Sequence, residues 1–163
     1  MNASHLPTPS STRPHDRSML RYLRGSGMRM AMPRPLLSAL GDQLSATLGE
    51  AGAREFFNAA GYAWATREQQ RFANCDTLSA LADSLNAYWA ESRWGWAHLE
   101  ESERGLLIVH HAAPASDSGD NVPTLLAGFY DAVFKLLGAD PDMALQVASV
   151  SEDGFEIHLH LTA

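Results

Sequence analysis

At 163 residues the chain suits a single domain burying about two thirds of its unfolded surface, and its net charge of −7 hides a division. Residues 1–34 hold six arginines against one acidic residue, Asp16, while residues 35–163 hold six basic against eighteen acidic side chains. An acidic body excludes a duplex-binding surface, which needs clustered cations; the single cysteine, Cys75, excludes an intrachain disulfide, and no apolar run approaches the ~18 residues of a membrane span.

Residues 1–34 are rich in Ser, Thr, Pro and Arg without a sustained period, and read as a disordered basic tail ahead of an α+β domain over residues 35–163. Arg13 to Arg34 interrupt any signal-peptide h-region, so the expected compartment is the cytoplasm. Met19, Leu20, Tyr22 and Leu23 suit one helical turn touching a partner, and Met28 offers an internal start. From Pro35 to Leu48 a leucine stripe (Leu36, Leu37, Leu40, Leu44, Leu48) predicts a first helix, loosened or ended by Gly49 to Gly52. Ala53 to Gln70 predicts a second, with Phe56, Phe57, Ala60 and Trp64 on its apolar face. Gly61 costs that helix ~1 kcal/mol relative to Ala, which a close helix contact would offset.

Asp76 is the expected N-cap of a third helix carrying Leu78, Leu81, Leu85 and Tyr88 or Trp89. The period changes at Arg93. Trp94, Trp96 and His98 alternate with Gly95, Ala97 and Leu99 as in a strand, Glu100 to Arg104 reads as a turn, and Leu106 to Val109 as a second strand. After a Ser/Asp/Gly loop, Pro123 to Leu137 predicts a fourth helix, apolar over most of its circumference, with Gly138 as its C-cap. Met143 to Val150 and Phe155 to Leu161 predict a second hairpin about Glu152-Asp153-Gly154. The expectation is four main helices packed on a four-stranded antiparallel sheet made of two hairpins.

The residues that could carry chemistry form no catalytic pattern. His98, His110, His111, His158 and His160 fall on strands, and water-facing histidines explain them without a metal. Glu100, Glu101 and Glu103 are read as a solvated turn, not as paired acids for glycoside chemistry. The sequence has no nucleophile elbow, P-loop or dinucleotide fingerprint, so neither catalysis nor a cofactor is expected. Trp94 and Trp96 are expected in the core. Apolar surface in excess of what a small monomer needs predicts self-association.

Leu85-Asn86-Ala87, Trp94-Gly95, Ile108-Val109-His110, Leu126 and Gly128-Phe129-Tyr130, in this order and spacing, resemble the accessory D subunit of bacterial cellulose synthase over about Leu36 to Ala163. That resemblance implies a non-enzymatic subunit, a homo-octamer built as a ring of dimers, which assists export, arrangement and crystallisation of β-1,4-glucan. Its implied partners are other synthase subunits and the glucan chain, and its implied place is the cytoplasm near the inner membrane, with the periplasm as the alternative. It places the glucan path just before the first helix, here about Met28 to Arg34, with Arg29 and Arg34 as the residues that would line it. Gly128-Phe129-Tyr130 and the final hairpin are also similar to ligand-sensing domains of the 4-vinyl-reductase type, which implies a closed apolar pocket.

Overall fold

The computed structural model describes residues 34–102, 105–114 and 121–162. The expected tail, with Arg29, lies outside them. The first element, α1, runs from Arg34 to Arg67, and Gly49 inside it has non-helical backbone angles (φ 74°, ψ 168°). The break predicted at Gly49 is present, but the two expected helices form one interrupted element, so three α-helices are described instead of four. A 3-10 turn at Gln69–Arg71 follows.

Helix α2, Leu78–Ser92, starts at Thr77, not at the expected Asp76. The Thr77 hydroxyl accepts from the Ala80 N–H at 3.1 Å, satisfying one of the first-turn donors that a helix cannot pair internally. Its C-terminus closes when the Trp94 N–H reaches the Trp89 carbonyl at 3.0 Å around Arg93, which is left-handed at φ 60°. Gly95 is left-handed too (φ 89°), and a Cβ there would collide with the His111 carbonyl. These two turns separate Trp94 from the strand that follows.

The strands are β1 (Trp96–Ser102), β2 (Gly105–His111), β3 (Ala144–Val150) and β4 (Glu156–Thr162), in the antiparallel order β1-β2-β4-β3. The two predicted hairpins are present, joined through their second strands. β1 extends through Glu100 and Glu101, which the sequence pattern assigns to the turn. Helix α3, Asn121–Leu136, precedes β3. Helices cover one face of the sheet. Toward them point Ala97, Leu99, Leu106, Ile108, His110, Ile157, Leu159 and Leu161, all buried.

Helices α1 and α3 pack backbone to backbone. A Cβ on Gly61 would strike the Leu125 carbonyl, and one on Gly128 the Asn58 carbonyl. Both glycines are therefore required by proximity, and the helix-propensity cost at Gly61 is offset as expected. Below this seam lies an aromatic core. Trp64 sits 4.9 Å from Trp94, 5.0 Å from Phe129 and 5.6 Å from Trp89 between ring centroids. Phe129, Tyr130, Trp89 and Leu126 are fully buried, each side chain contributing about 2–3 kcal/mol of transfer free energy.

Candidate functional site

Three places in the described residues concentrate polar or exposed apolar groups. The first is buried. His110, expected to face water, has no exposure, because Leu106, Ile108 and His110 share the inward phase of β2. Its Nε2 lies 2.5 Å from the Trp94 carbonyl and its Nδ1 2.7 Å from the Tyr130 hydroxyl, which also accepts from the Trp89 indole N–H at 2.9 Å. A carbonyl only accepts, so Nε2 carries the proton and Nδ1 accepts from the Tyr130 O–H. Every donor in this chain then has an acceptor with the imidazole neutral. Burial holds the His110 pKa down at about 4, against the smaller opposing effect of the Trp94 carbonyl. Burial also pushes the Tyr130 phenol up. Such a closed network stabilises the core and offers no group to a substrate.

The second is the outer sheet face. Trp96, which shares no layer with Trp94, stacks on His111 (5.0 Å, 14°) and meets Phe155 edge-on at 5.6 Å. The expectation of both tryptophans in one core holds for Trp94 alone; Trp96 is buried against this opposite face. Phe155, the expected first residue of the last strand, lies before β4 and is exposed. Glu156 lies 3.4 Å from both His111 and His158, and Glu100 3.8 Å from His98. Among the described residues no three His, Cys, Asp or Glu side chains converge in a way that could hold a metal ion. Glu100 and Glu101, consecutive in a strand, are exposed and point to opposite faces, which is no geometry for a carboxylate pair.

The third is apolar. On α1, Leu36 is 62% exposed and Leu48 52%, with Leu40, Phe56 and Tyr62 also exposed. At the far edge of the sheet β3 is exposed along nearly its whole length, including Val147 and Val150, and carries no charge over Ala144–Val150. Arg34 is the first residue of α1, and Arg29 lies outside the described residues. No helix among the described residues is long and apolar enough to cross a membrane.

A family model for the D subunit of cellulose synthase matches residues 18–160. The chain belongs to this cellulose synthase D-subunit family. Membership gives the chain an accessory role in cellulose synthesis, distinct from the catalytic subunit, and implies other synthase subunits as partners. A search of curated proteins finds no match. Two of the motifs that carry the resemblance acquire physical meaning in the fold of this cellulose synthase component. Gly128-Phe129-Tyr130 supplies the helix seam, an aromatic core member and the hydroxyl of the buried chain. Leu85-Asn86-Ala87 supplies a clamp that sequence reasoning missed. Asn86, buried on α2, donates to the Ala97 carbonyl at 2.8 Å and accepts from the Ala97 N–H at 2.7 Å. Its position beside Leu85 on the apolar face was the available signal, since a buried amide must find both partners.

Proposed function

We propose that this protein is a non-enzymatic scaffold that assembles with copies of itself and with other synthase subunits, and assists the export, arrangement and crystallisation of β-1,4-glucan chains. The observation that carries the reading is the D-subunit family match over residues 18–160. The exposed leucines of α1 and the bare β3 edge support self-association, because exposed apolar surface is what an interface buries. A homo-octamer, a ring of dimers, is the assembly proposed, located in the cytoplasm near the inner membrane. The glucan path is proposed at the entrance of α1, with Arg29 and Arg34 among its donors. A neutral polymer in transit needs many weak hydrogen-bonding contacts and no deep pocket, and the unpaired N–H groups of a helix start suit sugar oxygens.

Deleting the gene should lower the amount or order of cellulose while isolated membranes still polymerise β-glucan. Unchanged fibre amount and order after deletion would refute the scaffold. Arg29→Ala with Arg34→Ala should give a milder defect in an intact assembly; wild-type behaviour of that pair would remove only the placement of the path. The sensor reading gains no support, because Trp89, Phe129 and Tyr130 fill the space between the helices and the sheet in mutual ring contact.

A further inference from the structure

Among the described residues no strand pairs with the outer side of β1. Asn86 holds both the N–H and the C=O of Ala97, so Ala97 is not in a hydrogen-bonded pair with His110, its register partner in β2. Bonded and non-bonded pairs alternate in an antiparallel ladder. The N–H and C=O groups of Leu99 and Glu101 therefore also point away from β2. Beside this edge, between α2 and β1, lies a groove of about 300 Å³ with Leu78, Ala82 and Leu99 among its apolar walls. Its charge is of one sign. Asp83 lines it and none of its described lining residues is Lys or Arg. Glu101, in phase with Leu99, stands on the same side of the sheet. Both carboxylates are exposed, and among the described residues neither has a cationic partner.

We infer that this groove docks an extended basic segment of another synthase subunit, which adds to the β1 edge at Leu99 and Glu101 as a short further strand. In that position a segment pairs its main chain with the outward N–H and C=O groups and sends alternate side chains into the groove. The walls set the chemistry of the occupant. An apolar side chain fits between Leu78, Ala82 and Leu99, and a Lys or Arg two residues along meets Asp83 and Glu101. The edge sets its length, because Asn86 occupies the backbone groups of Ala97. Pairing is thereby confined to the run from Leu99 to Ser102, about 10 Å of strand. A second copy fits poorly: its bare edge strand β3 carries no charge over Ala144–Val150, and residues 35–163 hold six basic against eighteen acidic side chains. Other synthase subunits are the partners that family membership implies. This inference does not depend on the glucan reading.

The recognition chemistry is tested on the full-length chain with a dye-labelled peptide, Leu-Thr-Arg-Thr-Val, blocked at both ends. Its fluorescence anisotropy should rise to saturation. The peptide with Glu in place of Arg, and the one with methylated backbone nitrogens, should each bind about tenfold more weakly. Asp83→Asn with Glu101→Gln should abolish the preference for Arg over Glu. Bound peptide should slow solvent exchange at the amides of Leu99 and Glu101 by about tenfold. The source is tested in cells making cellulose, with a photo-crosslinking benzoyl-phenylalanine at Ser79, an exposed groove residue. Peptide mass spectrometry should find it joined to a Lys- or Arg-bearing segment of another synthase subunit. A probe that joins a second copy, this chain itself or nothing overturns the inference. So does equal binding of the Glu or the methylated peptide, or exchange at Leu99 and Glu101 that the Arg peptide leaves unchanged.

Discussion

Tyr130 is the side chain on which the buried polar chain turns, because its hydroxyl both donates to His110 and accepts from Trp89. Tyr130→Phe keeps the ring but leaves the indole N–H and the imidazole Nδ1 without partners in the core. The expected loss is about 2–4 kcal/mol, read as a lower midpoint in urea denaturation. A second prediction follows from the proton on His110. Its folded pKa of about 4 lies below the ordinary 6.5, so as pH falls the unfolded chain binds this proton first. The stabilisation is complete above pH 6.5 and is lost progressively between 6.5 and 4, with a slope of up to about 1.4 kcal/mol per pH unit. Denaturation midpoints at pH 7, 6 and 5 measure that slope, and it should be absent in His110→Gln. Sequence alone missed this residue because the expected strand ends at Val109. Carrying the alternation two residues further puts His110 in phase with Leu106 and Ile108, where a histidine must have found partners.

Among the elements, α1 shows how two glycines in one helix serve unrelated ends. Gly49 lies in open space but at φ 74°, whereas Gly61 has no positive φ and no room for a Cβ. Gly49→Ala should therefore cost about 1–3 kcal/mol through backbone strain alone, since φ 74° with ψ 168° is a conformation essentially confined to glycine. Gly61→Ala would gain about 1 kcal/mol of helix propensity yet push α3 away at Leu125, and Gly128→Ala would do the same at Asn58; each should lower stability by about 2 kcal/mol or more. Thermal melting of the three variants orders them, and a stabilised Gly61→Ala would contradict the close seam. The leucine stripe, the break at Gly49, both hairpins and the all-round apolar α3 were legible because each is a local pattern. The phase of β1 was not. Two large indoles at 94 and 96 outweighed the small Ala97, but the left-handed backbone at Arg93 and Gly95 lets Trp94 belong to the core while Trp96 starts the opposite face. Likewise the N-cap moved from Asp76 to Thr77, a choice that only the cap geometry reveals.

Among the described residues, exposed large apolar side chains gather mainly on α1 and at β3, with Leu136 and Phe155 apart from them. Replacing Leu36, Leu40 and Leu48 together by Ser removes exposed side chains, so the melting temperature of an isolated copy should change little. The mass in solution should fall, because the apolar arm is then unable to bury itself between subunits. Light scattering at micromolar concentration reads both, and a wild-type chain that is already monomeric, or a triple variant of unchanged mass, would remove α1 from the interface. Self-association was an expectation from surplus apolar surface, because sequence shows how much is apolar and not which side remains uncovered.

The two borders of the sheet are unlike, and this sets how many times the molecule can be joined through its strands. At β1 the clamp of Asn86 on Ala97 interrupts the row of outward groups, so no long strand can run past it. At β3 the row has no strand beside it among the described residues, and no charge along it repels a like strand. In the language of polymers the sheet has a functionality of one. Two copies meeting β3 to β3 about a two-fold axis would use up each other's pairing capacity, and growth would end at the pair. Any larger assembly would then be built through helices, where the number of copies is set by an angle between surfaces and not by the pairing of strands.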